Sequence, residues 1–364
     1  MNLSELQPVS TWHKRDAVAA SLRQLALKLG PGTRMPRVRE LGRTLGVPMA
    51  TLDQVLRILE EGGVIVRRQR SGIFVANQRP RWIGLAFGDN LLKDPASSFL
   101  SLFLESCRKR ATAGGEQFSC FIDVAKTSDG VNPDLADAIA HGKLDGVLAV
   151  TLCDEQEAWL RKQNLPVVAL GPKKTWPHRV VLDGGQLTEL AISELKSKGC
   201  NTVGVLAPVQ GHIRFFRQAL KRLNMESSET WIICGDPMES NNEERGIKAA
   251  LDFLRRNGGK SLPDGMVITD DIMARGVCAA FVRKGIKLGK TIKIASHANR
   301  GSWALAEWER NLILCEYDPG EIAEAMFLML ENLINKNDID IQPAYVRAHV
   351  RRPLPEANSQ QISE

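Results

Sequence analysis

Residues 31–76 read PGTRMPRVRELGRTLGVPMATLDQVLRILEEGGVIVRRQRSGIFVA. Their spacing predicts a helix, a tight turn, a second helix and a basic two-strand hairpin. Val38, Leu41 and Leu45 place an apolar stripe on the first helix, and Leu52, Val55, Leu56 and Leu59 place one on the second. Gly46-Val47-Pro48 interrupts the helical pattern, because proline is compatible only with a helix's first turn. Gly62-Gly63 stops the second helix. Val64–Val66 and Ile73–Val75 are β-rich runs that flank Arg67, Arg68, Gln69, Arg70, Ser71 and Gly72. A helix-turn-helix followed by a basic hairpin is a shape that reads DNA. The second helix enters the major groove and the hairpin lies against the phosphates.

The charge distribution points the same way. Residues 1–80 hold 13 Lys and Arg against 6 Asp and Glu, whereas the whole 364-residue chain carries +6. All of the net positive charge therefore lies in the N-terminal fifth, as a phosphate-binding surface requires. A further helix is expected over 11–29, with Val18, Leu22, Leu25 and Leu29 facing the other two. The N-terminus MNLSELQPVSTWHKRD has no apolar signal core, and no apolar run approaches a membrane span. The expectation is a cytoplasmic protein with no membrane partner. Seven cysteines form no CxxC pair and are expected as reduced core thiols.

The N-terminal pieces PGTRMPRVRELGRTLGV, ATLDQVLRILEEGGVI and RRQRSGIFVA resemble the winged helix-turn-helix of the GntR family of bacterial transcription regulators. The resemblance covers roughly the first 78 residues. It implies double-stranded operator DNA as the partner, with Arg37, Arg39, Arg43, Thr51, Gln54, Arg68, Arg70, Ser71 and Gly72 as the contacting residues. Two departures stand out. The family's Pro-Ser before the variable residue and arginine is Pro36-Arg37-Val38-Arg39 here. Its Ser-Arg-x-Thr opening of the reading helix is Pro48-Met49-Ala50-Thr51. The serine cap is thus missing, a loss of about 1 kcal/mol, and an arginine is replaced by methionine, with Arg37 available nearby. The usual operator sequence is not expected to carry over.

From Trp82 onward, short buried-strand runs alternate with amphipathic helices, which predicts parallel α/β layers. Strands are expected at 82–87, 118–124, 146–150, 166–170, 202–207, 230–234, 266–269 and 291–295. Helices are expected near 97–113, 133–141, 154–163, 185–198, 212–223, 243–257, 272–284 and 320–335. IGLAFG at 83 matches VGVLAP at 203, DGVLAVT at 145 matches DGMVITD at 264, and Val167–Leu170 matches Ile292–Ala295. Three pairs in one order at a nearly constant offset suggest two similar lobes, although α/β strands also resemble one another by chance. Ligands bind at the carboxyl ends of such strands.

The runs LDGVLAV, LPVVALG, HRVVLDGGQLTELAISELKSKGCNTVGVLAP, PDGMVITDDIMARGVCAAFVRKGIKLGKTIKI and CEYDPGEIAEAMFLMLENLI resemble the effector domain of the LacI family, whose fold is that of periplasmic sugar-binding proteins. The fold class that follows is an α+β winged helix-turn-helix joined to a two-lobed α/β domain. The expected boundaries are 1–78 for DNA binding, 79–81 for a linker, 82–352 for the effector and dimerisation domain and 353–364 for a polar tail. The resemblance implies Asp89, Asp183, His212, Asp271 and Asn299 as effector contacts. Here Asp270-Asp271 replaces the family's Asn-Asp, His212 replaces its ligand-binding arginine with Arg214 as a possible substitute, and Ser296-His297-Ala298-Asn299 replaces Gly-Phe-Asp-Asp. The alternative for each Asp or Asn is a helix cap. Trp176, Trp303 and Trp308 could stack on a sugar ring or belong to the core.

No GxGxxG follows a strand, and GxxxxGK[ST], HExxH and GxSxG are absent. No enzyme, metal or cofactor is expected. The reading is a homodimeric repressor of transcription controlled by a small polar effector, a sugar being the expected class. A regulator whose cleft has lost its ligand and an enzyme with a DNA-binding appendage are the alternatives.

Overall fold

The computed structural model describes residues 11–61, 63–68, 71–76, 80–88, 97–122, 131–236, 238, 241–258, 262–336 and 342–351. The chain opens with three helices, α1 (Thr11–Leu29), α2 (Val38–Leu45) and α3 (Met49–Glu61), and an antiparallel hairpin of β1 (Ile65–Arg68) and β2 (Gly72–Val75). Then follow β3 (Trp82–Phe87), α4 (Phe99–Ala113), β4 (Gln117–Ile122), α5 (Pro133–Ala140), β5 (Gly146–Val150), α6 (Asp154–Leu160), β6 (Val167–Leu170) and β7 (Arg179–Leu182). The second set is α7 (Gly184–Ser197), β8 (Val203–Ala207), α8 (Gln210–Leu223), β9 (Ile232–Cys234), α9 (Asn242–Arg256), β10 (Gly265–Ile268), α10 (Asp271–Arg283), β11 (Lys293–Asn299) and β12 (Leu312–Tyr317). The described chain closes with α11 (Pro319–Ile334), β13 (Ala344–Val346) and β14 (His349–Val350).

The apolar spacing of α3 does what it predicts. Leu52, Val55, Leu56 and Leu59 are all buried, against Val18, Ala19, Leu22 and Ala26 of α1 and Leu41 of α2. Each such leucine contributes about 1.5–3 kcal/mol by leaving water. Leu25, Leu29, Val38 and Leu45 pack at the rim of the same core. The proline at the turn stands just before α3, not within its first turn. Its carbonyl accepts from Leu52 N–H at 3.0 Å. The first hairpin strand begins one residue and ends two residues later than its expected run, and the second begins one residue earlier and ends where expected.

The two six-stranded sheets repeat one topology. Their orders are β13-β7-β6-β5-β3-β4 and β14-β12-β11-β10-β8-β9. The three sequence pairs fall on β3 and β8, β5 and β10, and β6 and β11, which hold corresponding places in the two orders. The final strands differ: β13 runs parallel to β7, whereas β14 runs antiparallel to β12. The expected strands and helices are all present with end shifts, β11 extending four residues further and β9 beginning two later, while residues 123–124 of the expected strand 118–124 lie outside the described residues. Four strands were not expected, β7, β12, β13 and β14.

Contacts divide the described chain into two units. One takes in residues of 1–88, 108–168 and 330–339, and the other those of 89–107, 169–329 and 340–364. In the first unit the winged helix is joined to the sheet by more than a peptide link. The Arg23 guanidinium lies 5.9 Å from the Trp82 ring centroid. Trp82 also donates its backbone N–H to Asp145 at 2.8 Å and its ring N–H to Ser119 Oγ at 2.8 Å. Arg81 reaches Asn335 Oδ1 at 2.6 Å and Glu331 at 3.3 Å. Gly63, at φ 64, packs under Pro80.

In the second unit the core lies between β8, β10, β11 and the helix pair α9 and α10, with Phe253, Phe281, Met266 and Met273 fully buried. Gly246 and Gly276 let these two helices touch backbone to backbone. Among the described residues no helix is long and apolar enough to cross a membrane, and no group of His, Cys, Asp and Glu could hold a metal ion. All seven cysteines are free thiols, but Cys120 and Cys153 are exposed and Cys234 is only partly buried, which corrects the expectation of core positions for those three. Burial pushes Cys278 and Cys315 up to about 12.

Candidate functional site

On the winged helix, charge is sorted into two sets. Arg37 precedes α2, and its backbone N–H donates to Glu40 at 3.0 Å. An arginine side chain has no acceptor, so it cannot cap the helix itself. The guanidinium is left outside, and Arg37, Arg39 and Arg43 are all exposed. None of the three enters an ion pair among the described residues. Gln54 is exposed, with Arg15 at 3.4 Å, and Thr51 is partly buried. Met49 is 50% exposed at the start of α3.

The wing arginines behave differently from one another. Arg67 turns back onto α3, where Nη1 meets Asp53 Oδ1 at 2.8 Å and Nη2 meets the Asp53 carbonyl at 3.1 Å. Its Nε lies 3.3 Å from Glu60 Oε2, and its backbone N–H donates to Glu60 Oε1 at 2.9 Å. As a wing charge Arg67 is therefore spent internally. Arg68 is exposed and rests over the Phe74 ring at 4.6 Å. Ser71 closes the turn through its N–H to the Arg68 carbonyl at 3.0 Å. Gly72 has φ 108 and faces the Arg34 guanidinium. Arg70 lies outside the described residues.

The second cluster gathers at the carboxyl ends of β10, β11 and β12. Asp270 caps α10, its Oδ1 accepting from Met273 N–H at 2.7 Å and its Oδ2 from Asn242 at 3.2 Å. Asp271 is 4% exposed, and its Oδ1 accepts from Ile272 N–H at 3.0 Å. Its Oδ2 accepts from Asn299 Nδ2 at 3.1 Å, and its Oδ1 lies 3.9 Å from His297 Nδ1. The His297 ring lies 5.5 Å from the Tyr317 ring, tilted by 52°. His212 joins through Nδ1, 2.6 Å from Thr269 Oγ1.

Burial lowers the pKa of both His212 and His297. His297 lowers that of His212 further, while Asp270 opposes the shift on His297. Burial, with Asp183 as a smaller cause, raises Tyr317. Both imidazoles are therefore neutral near pH 7.

Of the remaining expected contacts, Asp183 stays within electrostatic reach of Tyr317. Asp183 is a helix cap, accepting from Gln186 N–H at 2.9 Å, and Asp89 lies outside the described residues. Arg214 does not join the cluster: it is exposed, 5.5 Å over its neighbour Phe215. Trp176 and Trp308 pack in cores, whereas Trp303 is 82% exposed. The sequence reading missed Tyr317 and noted His297 only as part of the run that replaces the family's Gly-Phe-Asp-Asp, not as a contact. The signal for His297 was present, since it stands two residues before Asn299 on a strand and so shares its face.

These features define a transcription regulator that pairs a DNA-reading winged helix with a periplasmic-binding-protein-like α/β domain. Residues 14–75 match bacterial regulatory proteins of the gntR family, and residues 192–352 match the periplasmic binding protein-like domain. The HTH-type transcriptional regulator Rv1152 of Mycobacterium tuberculosis is 32% identical over 83 residues, 20% of this chain and 69% of that protein. The chain belongs to the GntR family of bacterial regulatory proteins.

Its fold is similar to that of the transcriptional regulator CelR in complex with cellobiose. That likeness has a TM-score of 0.62 at 18% identity, over 87% of this chain and 99% of that one. It is also similar to the lac repressor dimer bound to operator and an anti-inducer. There the TM-score is 0.57 at 15% identity, over 76% of this chain and 93% of that one.

Proposed function

We propose that the chain is a homodimeric repressor whose grip on a near-palindromic operator is controlled by a small polar effector, a sugar by class. The observation that carries this reading is the sorting of charge on the winged helix. Arg37, Arg39 and Arg43 stay exposed and unpaired among the described residues, while Arg67 is consumed by Asp53 and Glu60. Residues 1–78 read DNA, 79–81 link, and 82–352 bind effector and dimerise.

Arg39, Arg43, Arg68 and Arg70 take phosphates, with Ser71 and Gly72 at the wing tip. Thr51 takes a phosphate and Gln54 a base edge, while Arg37 supplies the charge that Met49 lacks. Asp271 and Asn299 hold effector hydroxyls, with His212, Asp183 and Asp89 as the further contacts. The lac repressor dimer on its operator and the cellobiose complex of CelR support the operator, dimer and sugar readings by analogy of fold.

Selection of bound duplexes from a random DNA pool with the full-length protein tests this. A paired, inverted motif is the expected result. Enrichment of nothing beyond salt-sensitive binding would overturn the sequence-specific reading.

A further inference from the structure

Seven buried side-chain nitrogen and oxygen atoms of the described residues have no hydrogen-bond partner, and three belong to two neighbours, both ring nitrogens of His297 and the hydroxyl of Tyr317. Tyr317 is only 3% exposed. Burying polar atoms unpaired is costly, and such atoms mark places that something else completes.

Topology explains why they converge. In the parallel pairing of β11 with β12, Asn299 stands opposite Tyr317, and His297 is two residues back on Asn299's strand. Side chains two apart share a face, as do directly paired residues of parallel strands. His297, Asn299 and Tyr317 therefore line one face at the strand ends, beside Asp271.

We propose that His297 and Tyr317 contact the effector directly, and that the effector offers them uncharged hydroxyl groups in place of a phosphate or carboxylate. This rests on the reading of the Asp271 cluster as the effector site. A neutral imidazole has one donor and one acceptor, and so does a phenol hydroxyl in use. A ligand hydroxyl both donates and accepts, so hydroxyls complete both side chains. A phosphate or carboxylate brings acceptors only and leaves the acceptor nitrogen of His297 facing oxygen. It would also approach the carboxylates of Asp270 and Asp271, with Asp183 acting on Tyr317 from α7. Like charges repel strongly where water is excluded. The neighbouring guanidinium groups are already engaged, Arg245 by Asn242 at 2.7 Å and the Asp236 carbonyl at 2.9 Å, and Arg300, next to Asn299, by Asp318 at 2.6 Å.

The test is calorimetric titration of the full-length protein with cellobiose, glucose and xylose on one side and glucose 6-phosphate and gluconate on the other. A neutral saccharide is expected to bind, and the anions at least tenfold more weakly. Tyr317→Phe fills the same space and should weaken the bound saccharide about tenfold, as should His297→Phe, with operator binding retained. Should His297→Phe fail to fold, Tyr317→Phe decides alone.

Tighter binding of an anion overturns the proposal. So does unchanged affinity in Tyr317→Phe while Asp271→Ala abolishes binding, an outcome that leaves the effector site standing. Binding of a saccharide undisturbed by Asp271→Ala, or of none in either class, brings down the site assignment and this proposal together.

Discussion

Arg67→Ala separates positioning from contact on the DNA-reading surface. In the native protein this side chain makes two ion pairs and a bond to the Asp53 carbonyl, pinning the wing to the reading helix. Arg67, Asp53 and Glu60 are 34%, 50% and 38% exposed, so water screens both pairs. Pairs of this exposure contribute about 0.2–1 kcal/mol each. Losing both costs about 1 kcal/mol of wing order, which is roughly fivefold in operator affinity if all of it reaches binding. The salt dependence should not move, because Arg67 neutralises carboxylates and not phosphates. Arg39→Ala is the contrast. It should flatten the slope of log affinity against log salt by about 0.9 for the phosphate it releases. Fluorescence anisotropy of a labelled selected duplex over a salt series reads both. A slope change of about one in Arg67→Ala would mean that the side chain abandons α3 for DNA, and the positioning argument would fail.

Three other outcomes follow from packing and burial. Gly63→Ala forces a Cβ into the Pro80 ring at a left-handed φ of 64, and should destabilise the first unit by about 1–3 kcal/mol in chemical denaturation. Gly276→Ala drives a methyl into the Glu243 carbonyl of α9. It should lower the melting temperature of the second unit by several degrees, about 2 kcal/mol by overpacking values, and an unchanged melt would show that the helices separate freely. His178, His212 and His297 all have lowered pKa values, chiefly from burial. Below the ordinary histidine value of about 6.5 the unfolded chain binds more protons than the folded one, so stability falls as pH falls there. Melting temperatures recorded from about pH 7.5 down to 5.5 should decline, and less steeply in His297→Gln; equal slopes would remove His297 from the effect.

Much of the architecture was legible because it rests on period. Four apolar residues on one face of α3 imply a buried helix whatever surrounds it, and the repeated strand runs anticipated the paired sheet orders. The four missed strands had weaker signals. Arg179–Leu182 is four residues long with no helix before it, and β13 and β14 are short edges with one pairing partner each. Leu312–Tyr317 is an apolar run that was readable, yet it merged with the helix signal that follows.

The site was half legible for a physical reason. Asp271 was found because it opens a helix after a strand and Asn299 because it stands in a motif position after a strand, whereas Tyr317 needed the register of β11 against β12. Composition also overcounted the wing. It sees three arginines, but not that Asp53 and Glu60 stand seven apart on α3, facing Arg67.

The junction at Trp82 has a consequence for how this molecule measures DNA. Arg23 lies over the indole, Asp145 and Ser119 grip it from the sheet, Pro80 seats on Gly63, and Arg81 is bolted to Glu331 and Asn335. A reading head on a loose tether would scan many half-site spacings at little cost. Here the described contacts clamp the head to the strand behind it, so that the two turn together. In the proposed dimer, base pairs inserted between half-sites would have to be absorbed by bending the duplex or by twisting the sheet, which would make the protein a ruler as well as a reader.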